Sequence, residues 1–400
     1  MGTETTLKPG KTIEAKRKGG INLKQYGMMI ALVAIFLVFS GLSGGKAASA
    51  ININNLVMQN SYVIILAIGM LLCIITGNVD LSVGSVVAFT GAGCAIMVLD
   101  FKLPVPVAFA IILVVGLLIG MWSGFFIAVL HVPPFIVTLA NMLIFRGLTM
   151  LILNGQTKGP LPVSYNQVGA GYLPAFQMEL FGTKIDLLAL LAGIVASAII
   201  IAMELRNIST KKKYNFDTPP MWQTCVKLGA IVLILNYITI QLACYKGLPV
   251  VLAIMLGLVL LYTFVTSRMV VGRQIYAVGG NAKAAKLSGI KTDKVMFWVY
   301  ANMGLLCAVA GIVLSARNGS ATPKAGDGFE LDAIASCYIG GASAYGGTGT
   351  VIGAVVGALV MGVLNNGMSL IGWTVDTQKV VKGLVLLGAV TIDLMSKRKK

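Results

Sequence analysis

Charged residues, and acidic ones above all, are scarce in this chain of 400 residues. Only 11% of the residues are charged, with 14 Asp and Glu against 31 Lys and Arg. A soluble domain keeps roughly a quarter of its residues charged, so too few charges remain to cover a water-facing surface of this size. The chain has one histidine, His131, and six separated cysteines without a CxxC spacing. We therefore expect the cysteines to pack as small apolar residues, with neither a metal site nor a disulfide framework.

The chain also lacks a phosphate-binding loop, although its last third is rich in glycine. The stretch IGGASAYGGTGTVIGAVVGALVMGVLNNG (339–367) contains no GKS or GKT, and no GxGxxG opens a helix after a strand. We expect this chain to hold no ATP and no other cofactor. Gly353, Gly357 and Gly362 instead suit close packing of helices in lipid.

Long apolar runs take the place of these features. Hydrophobic residues make up 57% of the sequence, and the mean hydropathy is +0.88. Runs of about 18–25 residues can cross about 30 Å of hydrocarbon as helices. The sequence therefore predicts an all-α, polytopic transmembrane bundle. The predicted spans lie near 26–43, 56–76, 81–99, 105–130, 134–153, 184–204, 222–245, 248–267, 294–316, 332–341 (short), 349–371 and 378–395. Because 332–341 is short and 184–245 holds an extra pair, we expect about 10–12 spans.

The net charge of +17 follows this topology rather than indicating a nucleic-acid partner. With the N-terminus inside, 21 basic residues fall in inner loops and tails and seven in outer loops. Such a bias is the positive-inside rule, and it predicts that both termini are cytoplasmic. We divide the chain into basic tails at 1–25 and 396–400 and a transmembrane domain at 26–395. Within it, 184–245 is interpreted as an insertion with two extra spans.

Several polar groups interrupt the spans. Asp80, in ITGNVDLSVGSVVAF (75–89), is well placed to cap a helix that opens at Leu81, and a share in gating is the alternative. Arg146 lies near the far end of its span, where snorkelling to the interface is favoured over contact with an aqueous cavity. The amides at positions 54–60 suggest a helix start that is interfacial or faces a cavity.

The loop GRQIYAVGGNAKAAKLSGIKTDK (272–294) predicts a short helix with a defined start and end. Asn281 is a favoured N-cap, residues 282–288 are helix-compatible, and Gly289 suits the left-handed position that ends a helix. A helix this short is marginal alone in water, which implies that it docks onto something.

Spacing indicates which surface of that helix docks. Lys283 and Lys286 share one side, while Ala282 with Ala285 and Ala284 with Leu287 supply a surface of small residues. A cytoplasmic protein partner is the favoured interpretation. The alternative is a helix that lies on lipid headgroups, but its apolar face is small for that role.

Five segments carry a resemblance to a known family. They are GRQIYAVGGNAKAAKLSGI, TGNVDLSVGS, VPPFIVTLANMLIFRG, SARNGSATPKAGDGFELDAIASCYIGGASAYGGTGT and VLNNGMSLIGWTVDTQKVVKG. The set is similar to permease subunits of the ribose, xylose and galactose (multiple monosaccharide) family of ABC sugar importers. The resemblance covers nearly the whole chain except the tail and roughly 184–245, and it implies a type II-like ABC importer fold in the bacterial inner membrane.

The resemblance also implies partners and roles. The chain is expected to be a non-catalytic subunit that moves a monosaccharide of the xylose, galactose, arabinose, glucose or ribose class. Its expected partners are a separate ATPase, a periplasmic sugar-binding protein, the lipid bilayer and a second permease copy, with which it would form a homodimer. The expected contacts with the ATPase are Gly280, Asn281, Lys283, Ala284, Ala285, Leu287 and Gly289.

Two weaker sets of residues complete the prediction. A path for a neutral, hydroxyl-rich solute has candidates in Asn141, Asn302, Asn365, Asn366 and Asp80, although each amide could instead satisfy a neighbouring helix. The binding protein is expected to dock on Lys324, Asp327, Glu330 and Asp332, which offer charges of both signs. The main rival is an ion-coupled secondary sugar transporter, which needs buried acids or histidine in the membrane.

Overall fold

The computed structural model describes residues 23–398, with the exception of 181, 182, 215, 217 and 219. Residues 1–22 of the predicted N-terminal tail and 399–400 of the C-terminal tail therefore lie outside the described residues. Fifteen α-helices form in the described part: α1 (Leu23–Leu42), α2 (Ala50–Ile75), α3 (Val83–Leu99), α4 (Val105–Gly124), α5 (Pro134–Ile152), α6 (Val163–Ala170), α7 (Leu187–Lys213), α8 (Met221–Ala243), α9 (Val250–Arg268), α10 (Val270–Gly280), α11 (Ala282–Leu287), α12 (Thr292–Asn318), α13 (Phe329–Ile339), α14 (Val351–Leu370) and α15 (Val375–Arg398).

Three smaller elements connect them. A 3-10 turn at Lys46–Ala48 precedes α2, and a π-helical turn at Phe125–Val129 extends α4. Two short strands, β1 (Gln177–Leu180) and β2 (Thr183–Asp186), pair antiparallel just before α7. This hairpin does not alter the all-α character of the bundle.

Each of the twelve predicted spans contains a helix. Among the described residues, eight helices are long and apolar enough to cross a bilayer: α2, α4 with its π turn, α5, α7, α8, α9, α12 and α14. The apolar part of α1 and the whole of α3 are shorter. The prediction of a polytopic helical bundle is confirmed.

α2 is the centre of the bundle. Its apolar window is 94% buried inside the protein, whereas the windows of α7 and α8 are 17% and 6% buried. A helix that is apolar on all sides needs neighbours on all sides, and α12, α14, α13, α9 and α8 supply them. α7 packs along α8 at the periphery. That 184–245 is an insertion stays a prediction.

The start of α2 differs from the prediction. The Ser49 hydroxyl accepts a hydrogen bond from the Asn52 backbone N–H, so the helix begins at Ala50. Asn54 and Asn60 are consequently inside the helix and buried. The Asn54 side-chain oxygen accepts a hydrogen bond from the Tyr172 hydroxyl at 3.1 Å. The amides therefore do not mark the start of the helix, because the cap lies more than one turn earlier. The interfacial or cavity-facing position expected for them is wrong for Asn54 and Asn60, whereas Asn55 is exposed.

α13 crosses only part of the bundle. Its eleven residues rise about 16 Å, roughly half of the hydrocarbon thickness. The Phe329 ring at its start stacks on Tyr62 in the middle of α2, with 4.7 Å between ring centroids. After it, the Gly347 N–H donates to the Ile75 carbonyl at the end of α2.

We call the end of the bundle that holds Ile75, α10 and α11 the α11 end. The opposite end, which holds α6, is called the α6 end.

Glycine allows α13 and α14 to touch through their backbones. A Cβ at Gly357 would lie 1.9 Å from the Ser336 carbonyl oxygen, and one at Gly353 would lie 2.2 Å from the Gly340 carbonyl oxygen. A Cβ at Gly362 would collide with the side chain of Asn60. The predicted role of these three glycines in close helix packing is confirmed.

We expect Gly357→Ala to lower the free energy of unfolding by about 1–3 kcal/mol, because the added methyl forces two packed helices apart. Gly257 in α9 is a matched control, since a Cβ there meets no atom within 4 Å. Gly257→Ala should be neutral or stabilising, because glycine disfavours a helix. Unfolding in mixed micelles, followed by circular dichroism, measures both variants. Equal losses would contradict this account of α13 and α14.

Candidate functional site

α10 is anchored to the end of α2 and to the segment after α13. A Cβ at Gly279 would lie 1.6 Å from the Ile75 carbonyl oxygen and 2.9 Å from the Gly347 nitrogen, so three backbones meet there. The Tyr276 hydroxyl donates to the Gly349 carbonyl at 2.6 Å. Burial raises the pKa of Tyr276 above its ordinary value, so the phenol stays protonated as a donor. Because of these contacts, α10 cannot move without displacing α2 and the 340–350 segment.

α11 follows as the short helix that the sequence predicts. The Asn281 side chain accepts a hydrogen bond from the Ala284 N–H at 3.0 Å, and Gly289 has a φ of +86°. The predicted N-cap and the left-handed glycine are both confirmed, and the helix ends at Leu287, one residue earlier than expected.

The exposed surface of α11 differs from the predicted one at a single residue, Ala285. Ala285 is only 5% exposed, whereas Leu287 is 90% exposed. Ala285 faces the protein because α11 must bury some apolar surface to stay folded, as a helix of six residues cannot stand alone. The expectation that Ala285 belongs to the partner-facing surface is wrong. The surface available to a partner contains Lys283, Ala284, Lys286 and Leu287.

Sequence reasoning missed α10 altogether and treated it as loop. Its signal is present, since Val271, Ile275 and Val278 recur at helical spacing in VVGRQIYAVGG. Ile275 and Val278 are buried, whereas the residues at its start are exposed. Gly280 joins α10 to α11, so two successive helices, rather than one short helix, stand at this end of the bundle.

Asp80 lies in the connection between α2 and α3 and is buried. One carboxylate oxygen accepts hydrogen bonds from the Ser82 N–H at 2.8 Å and the Ser82 hydroxyl at 2.6 Å. α3 begins at Val83, so Asp80 forms a turn just ahead of the helix rather than its N-cap. The predicted cap is therefore displaced by two residues, because Ser82 intervenes between the carboxylate and the first helical residue.

The amides named as path candidates do not converge on one cavity. Asn141 donates to the Ser123 hydroxyl at 2.9 Å, between α5 and α4. Asn302 accepts from the Tyr262 hydroxyl, between α12 and α9. Asn366 exchanges two hydrogen bonds with Asn52, at 2.9 and 3.0 Å, between α14 and α2. Each of these amides bridges two helices, which agrees with the alternative that it satisfies a neighbouring helix. A role for them in the solute path stays a prediction.

Charged residues gather where the segment before α13 enters the bundle. Lys382 on α15 pairs with Asp332 on α13 at 3.0 Å, and Asp332 is 3% exposed. Asn365 on α14 donates to the same carboxylate oxygen at 3.3 Å. Asp332 is thus held inside the chain and is not accessible for docking, because its charge needs a partner at this depth. The other carboxylate oxygen of Asp332 and the Asn365 side-chain oxygen have no hydrogen-bond partner among the described residues.

Asp327, Lys379 and Arg146 surround this buried pair. Asp327 pairs with Lys379 of α15 at 3.0 Å in an exposed position. Arg146 of α5 donates to the carbonyls of Pro323 and Ala325 at 3.0 and 2.7 Å. The guanidinium is therefore held by the backbone of the segment before α13, and the snorkelling expected for Arg146 stays a prediction. Lys324 is exposed and Glu330 half-buried. We call Arg146, Asp327, Glu330, Asp332, Lys379 and Lys382 the charged cluster.

Sequence reasoning left Lys379 and Lys382 without a role. The available signal was their position inside or at the edge of a predicted span, where a lysine requires a carboxylate partner. Their spacing of three places both on one side of α15. What could not be read from the sequence is that both partners come from the segment 327–332.

These observations define a class: a multi-pass helical membrane protein with a capped, exposed helix at one end and a buried ion pair in the bundle. Comparison with known proteins identifies the family. The family profile described as "Branched-chain amino acid transport system / permease component" matches residues 52–390. The chain belongs to this permease family.

Individual relatives cover nearly the whole chain. It is 39% identical to the xylose transport system permease protein XylH of Escherichia coli (strain K12) over 379 residues, which is 95% of this chain and 94% of that protein. The corresponding xylose permease of Haemophilus influenzae is 38% identical over 95% of this chain and 98% of its own length. The ribose import permease protein RbsC of E. coli (strain K12) is 34% identical over 93% of this chain and 94% of that protein. No solved structure matches the chain significantly.

We expect Lys382→Met to lower the free energy of unfolding by about 3–5 kcal/mol, because it leaves the Asp332 charge buried without its partner. Lys379→Met is the matched control: its pair with Asp327 is more than half exposed, and pairs that are open to solvent contribute little to stability. Unfolding in mixed micelles compares the two. The double variant Lys382→Met with Asp332→Asn should recover much of the loss; similar losses for both single variants would contradict a buried pair.

Proposed function

We propose that this protein is the membrane-spanning subunit of an ATP-driven importer that moves a monosaccharide into the bacterial cell. The observation that carries the proposal is full-length similarity, at 34–39% identity, to permeases named for xylose and ribose. The family profile is described by branched-chain amino acids, but both kinds of relative above are named for sugars. Xylose and ribose are therefore the first substrates to test, followed by arabinose, galactose and glucose.

A separate ATPase supplies the energy in this proposal. α11 supports its docking, because Leu287 is an exposed apolar side chain on a capped helix, with Lys283 and Lys286 beside it. An exposed leucine between lysines suits a partner groove that is apolar at its centre and acidic at its rim. The α11 end is then cytoplasmic, and so are both termini, in agreement with the distribution of basic residues.

A force on α11 has a direct route into the bundle. α11 is joined to α10 at Gly280 and Asn281, and α10 meets both α2 and the 340–350 segment at Gly279. Because α2 packs against α13 as well as α10, a tilt of α10 shifts the central helix and the short helix α13 together. We propose this as the link between the ATPase and the transport path, with no ATP bound by the permease itself.

The remaining partners are a second permease copy and a periplasmic sugar-binding protein. Lys324 and Asp327 are exposed and Glu330 half-buried, so these three stay candidates for the docking surface, without Asp332. Arg146 and the two ion pairs determine the position of that surface relative to α5 and α15. The solute path is proposed to begin beside it.

The rival function is an ion-coupled sugar transporter, and one observation favours it. Asp332 is a carboxylate buried in the bundle, and such groups serve coupling in secondary transporters. The two functions differ in their energy source, so a transport assay separates them.

Uptake of labelled xylose or ribose should require ATP and be insensitive to an uncoupler. The assay uses proteoliposomes that contain this chain, an ATPase from the same organism and its sugar-binding protein. Vesicles without the ATPase are the control. Uptake that persists without ATP and collapses with the uncoupler would overturn the importer in favour of ion coupling.

Leu287→Glu is expected to reduce ATP-driven uptake at least tenfold, because a carboxylate at the tip of α11 cannot enter an apolar, acidic-rimmed groove. The side chain is 90% exposed, so the fold should be unaffected. Val163→Glu, at the start of α6 and 77% exposed, is the control at the other end of the bundle. Co-purification of the ATPase measures docking separately from uptake. Normal uptake by Leu287→Glu would contradict the assignment of α11.

A further inference from the structure

A cavity of about 770 Å³ lies between α9, α10 and α12 at the α11 end of the bundle. Its floor is formed by α2 and its mouth by the turn that leads from α11 into α12. Of the residues expected to contact the ATPase, only Gly289 lines it, at the rim, and of the path candidates only Asn302 lines it, where it accepts a hydrogen bond from Tyr262. The functions proposed above leave the lysines at its mouth and its apolar wall unexplained.

The mouth of the cavity is positively charged. Lys291 and Lys294 both line it, and both side chains are exposed. Neither lysine takes part in an ion pair among the described residues, and the intervening Asp293 accepts a hydrogen bond from the Thr292 hydroxyl. Among the described residues, the mouth thus presents two ammonium groups that form no ion pair.

The wall below these lysines is mostly apolar. Its apolar part is formed by Leu261 and Val265 of α9, Val271 of α10, and Val295 and Trp298 of α12, and the polar side chains of Tyr262, Gln274 and Asn302 also line the cavity. Leu261 and Trp298 are 54% and 49% exposed, so the wall is open on its outer side. A half-exposed tryptophan one turn inside a pair of lysines is typical of a membrane–water interface.

The wall continues onto a surface that faces the bilayer. Val270 and Met269, at the bend between α9 and α10, are exposed next to the cavity, as are Leu260 and Phe264 of α9. α9 is one of the helices long and apolar enough to span a membrane. An acyl chain can therefore enter the cavity sideways from the bilayer. A soluble anion would gain nothing from the apolar wall.

We propose that this cavity binds one anionic phospholipid. Its phosphate lies between Lys291 and Lys294, and one acyl chain lies along Val295, Trp298 and Leu261. The two lysines select a lipid with net negative charge, since basic pockets between helices bind acidic headgroups. The apolar wall distinguishes a lipid from a free phosphate compound.

A lipid in this position contacts both sides of the bend at Met269. It packs against α9 and α12 on one side and against α10 on the other, and so helps to set the angle at which α10 leaves the bundle. This site is independent of the proposed transport function, because binding requires only the membrane-embedded chain.

The test uses the full chain in phosphatidylcholine vesicles into which phosphatidylglycerol with brominated acyl chains is titrated. Bromine quenches nearby indoles, and the part of the quenching that Trp298→Phe removes reports on the cavity. We expect saturable quenching in the unaltered chain. In Lys291→Gln with Lys294→Gln the apparent affinity should fall roughly thirtyfold, as each lysine near a membrane surface contributes about a factor of five.

Lys211→Gln with Lys212→Gln is the matched control, because it removes two exposed charges from the end of α7, outside the cavity. It should leave the Trp298 quenching curve unchanged. Brominated phosphatidylcholine should quench Trp298 without saturating, and soluble glycerol phosphate should not compete. The proposal is overturned if the two double variants bind equally, if phosphatidylcholine binds as well as phosphatidylglycerol, or if glycerol phosphate displaces the lipid.

Discussion

The burial of α2 is the constraint on which the rest of this structure depends. A helix that is apolar on every side gains little from any single neighbour and must be enclosed. α12, α14, α13, α9 and α8 enclose it, and the close approach of α13 to α14 depends on glycine at positions 353 and 357. Because lipid is as apolar as a leucine side chain, close packing and polar contacts have to hold these helices together.

Polar groups then determine which helices are neighbours and in what register. The Asn52–Asn366 exchange joins α2 to α14, Asn141–Ser123 joins α5 to α4, and Asp332–Lys382 joins α13 to α15. Each polar group would be costly if it faced hydrocarbon alone, so a shift of one helix by a single turn is penalised. The ion pair is the most demanding of these contacts, since it buries the Asp332 carboxylate and half-buries the Lys382 ammonium.

In the proposed function, motion enters the bundle through α11 and α10. α10 touches α2 through Gly279, where no side chain intervenes, and α11 extends from α10 with Leu287 exposed. A partner that grips α11 therefore acts on a rigid arm rather than on a flexible loop. The lipid site proposed between α9, α10 and α12 lies on the other side of the same arm, so membrane composition and partner binding would act on one bend.

The sequence by itself determined the features that depend on local pattern. Apolar runs placed twelve of the fifteen described helices, and Asn281 and Gly289 placed the start and end of α11, because periodicity and capping involve residues only a few positions apart. The resemblance to the family likewise lies in contiguous segments such as TGNVDLSVGS.

Only the tertiary structure decided which polar residues meet and which surfaces remain exposed. Asp332 finds Lys382 fifty residues away, Arg146 finds carbonyls more than 170 residues away, and Ala285 turns inward while Leu287 turns out. These outcomes depend on how helices that are remote in sequence pack around α2, and no local pattern contains that information.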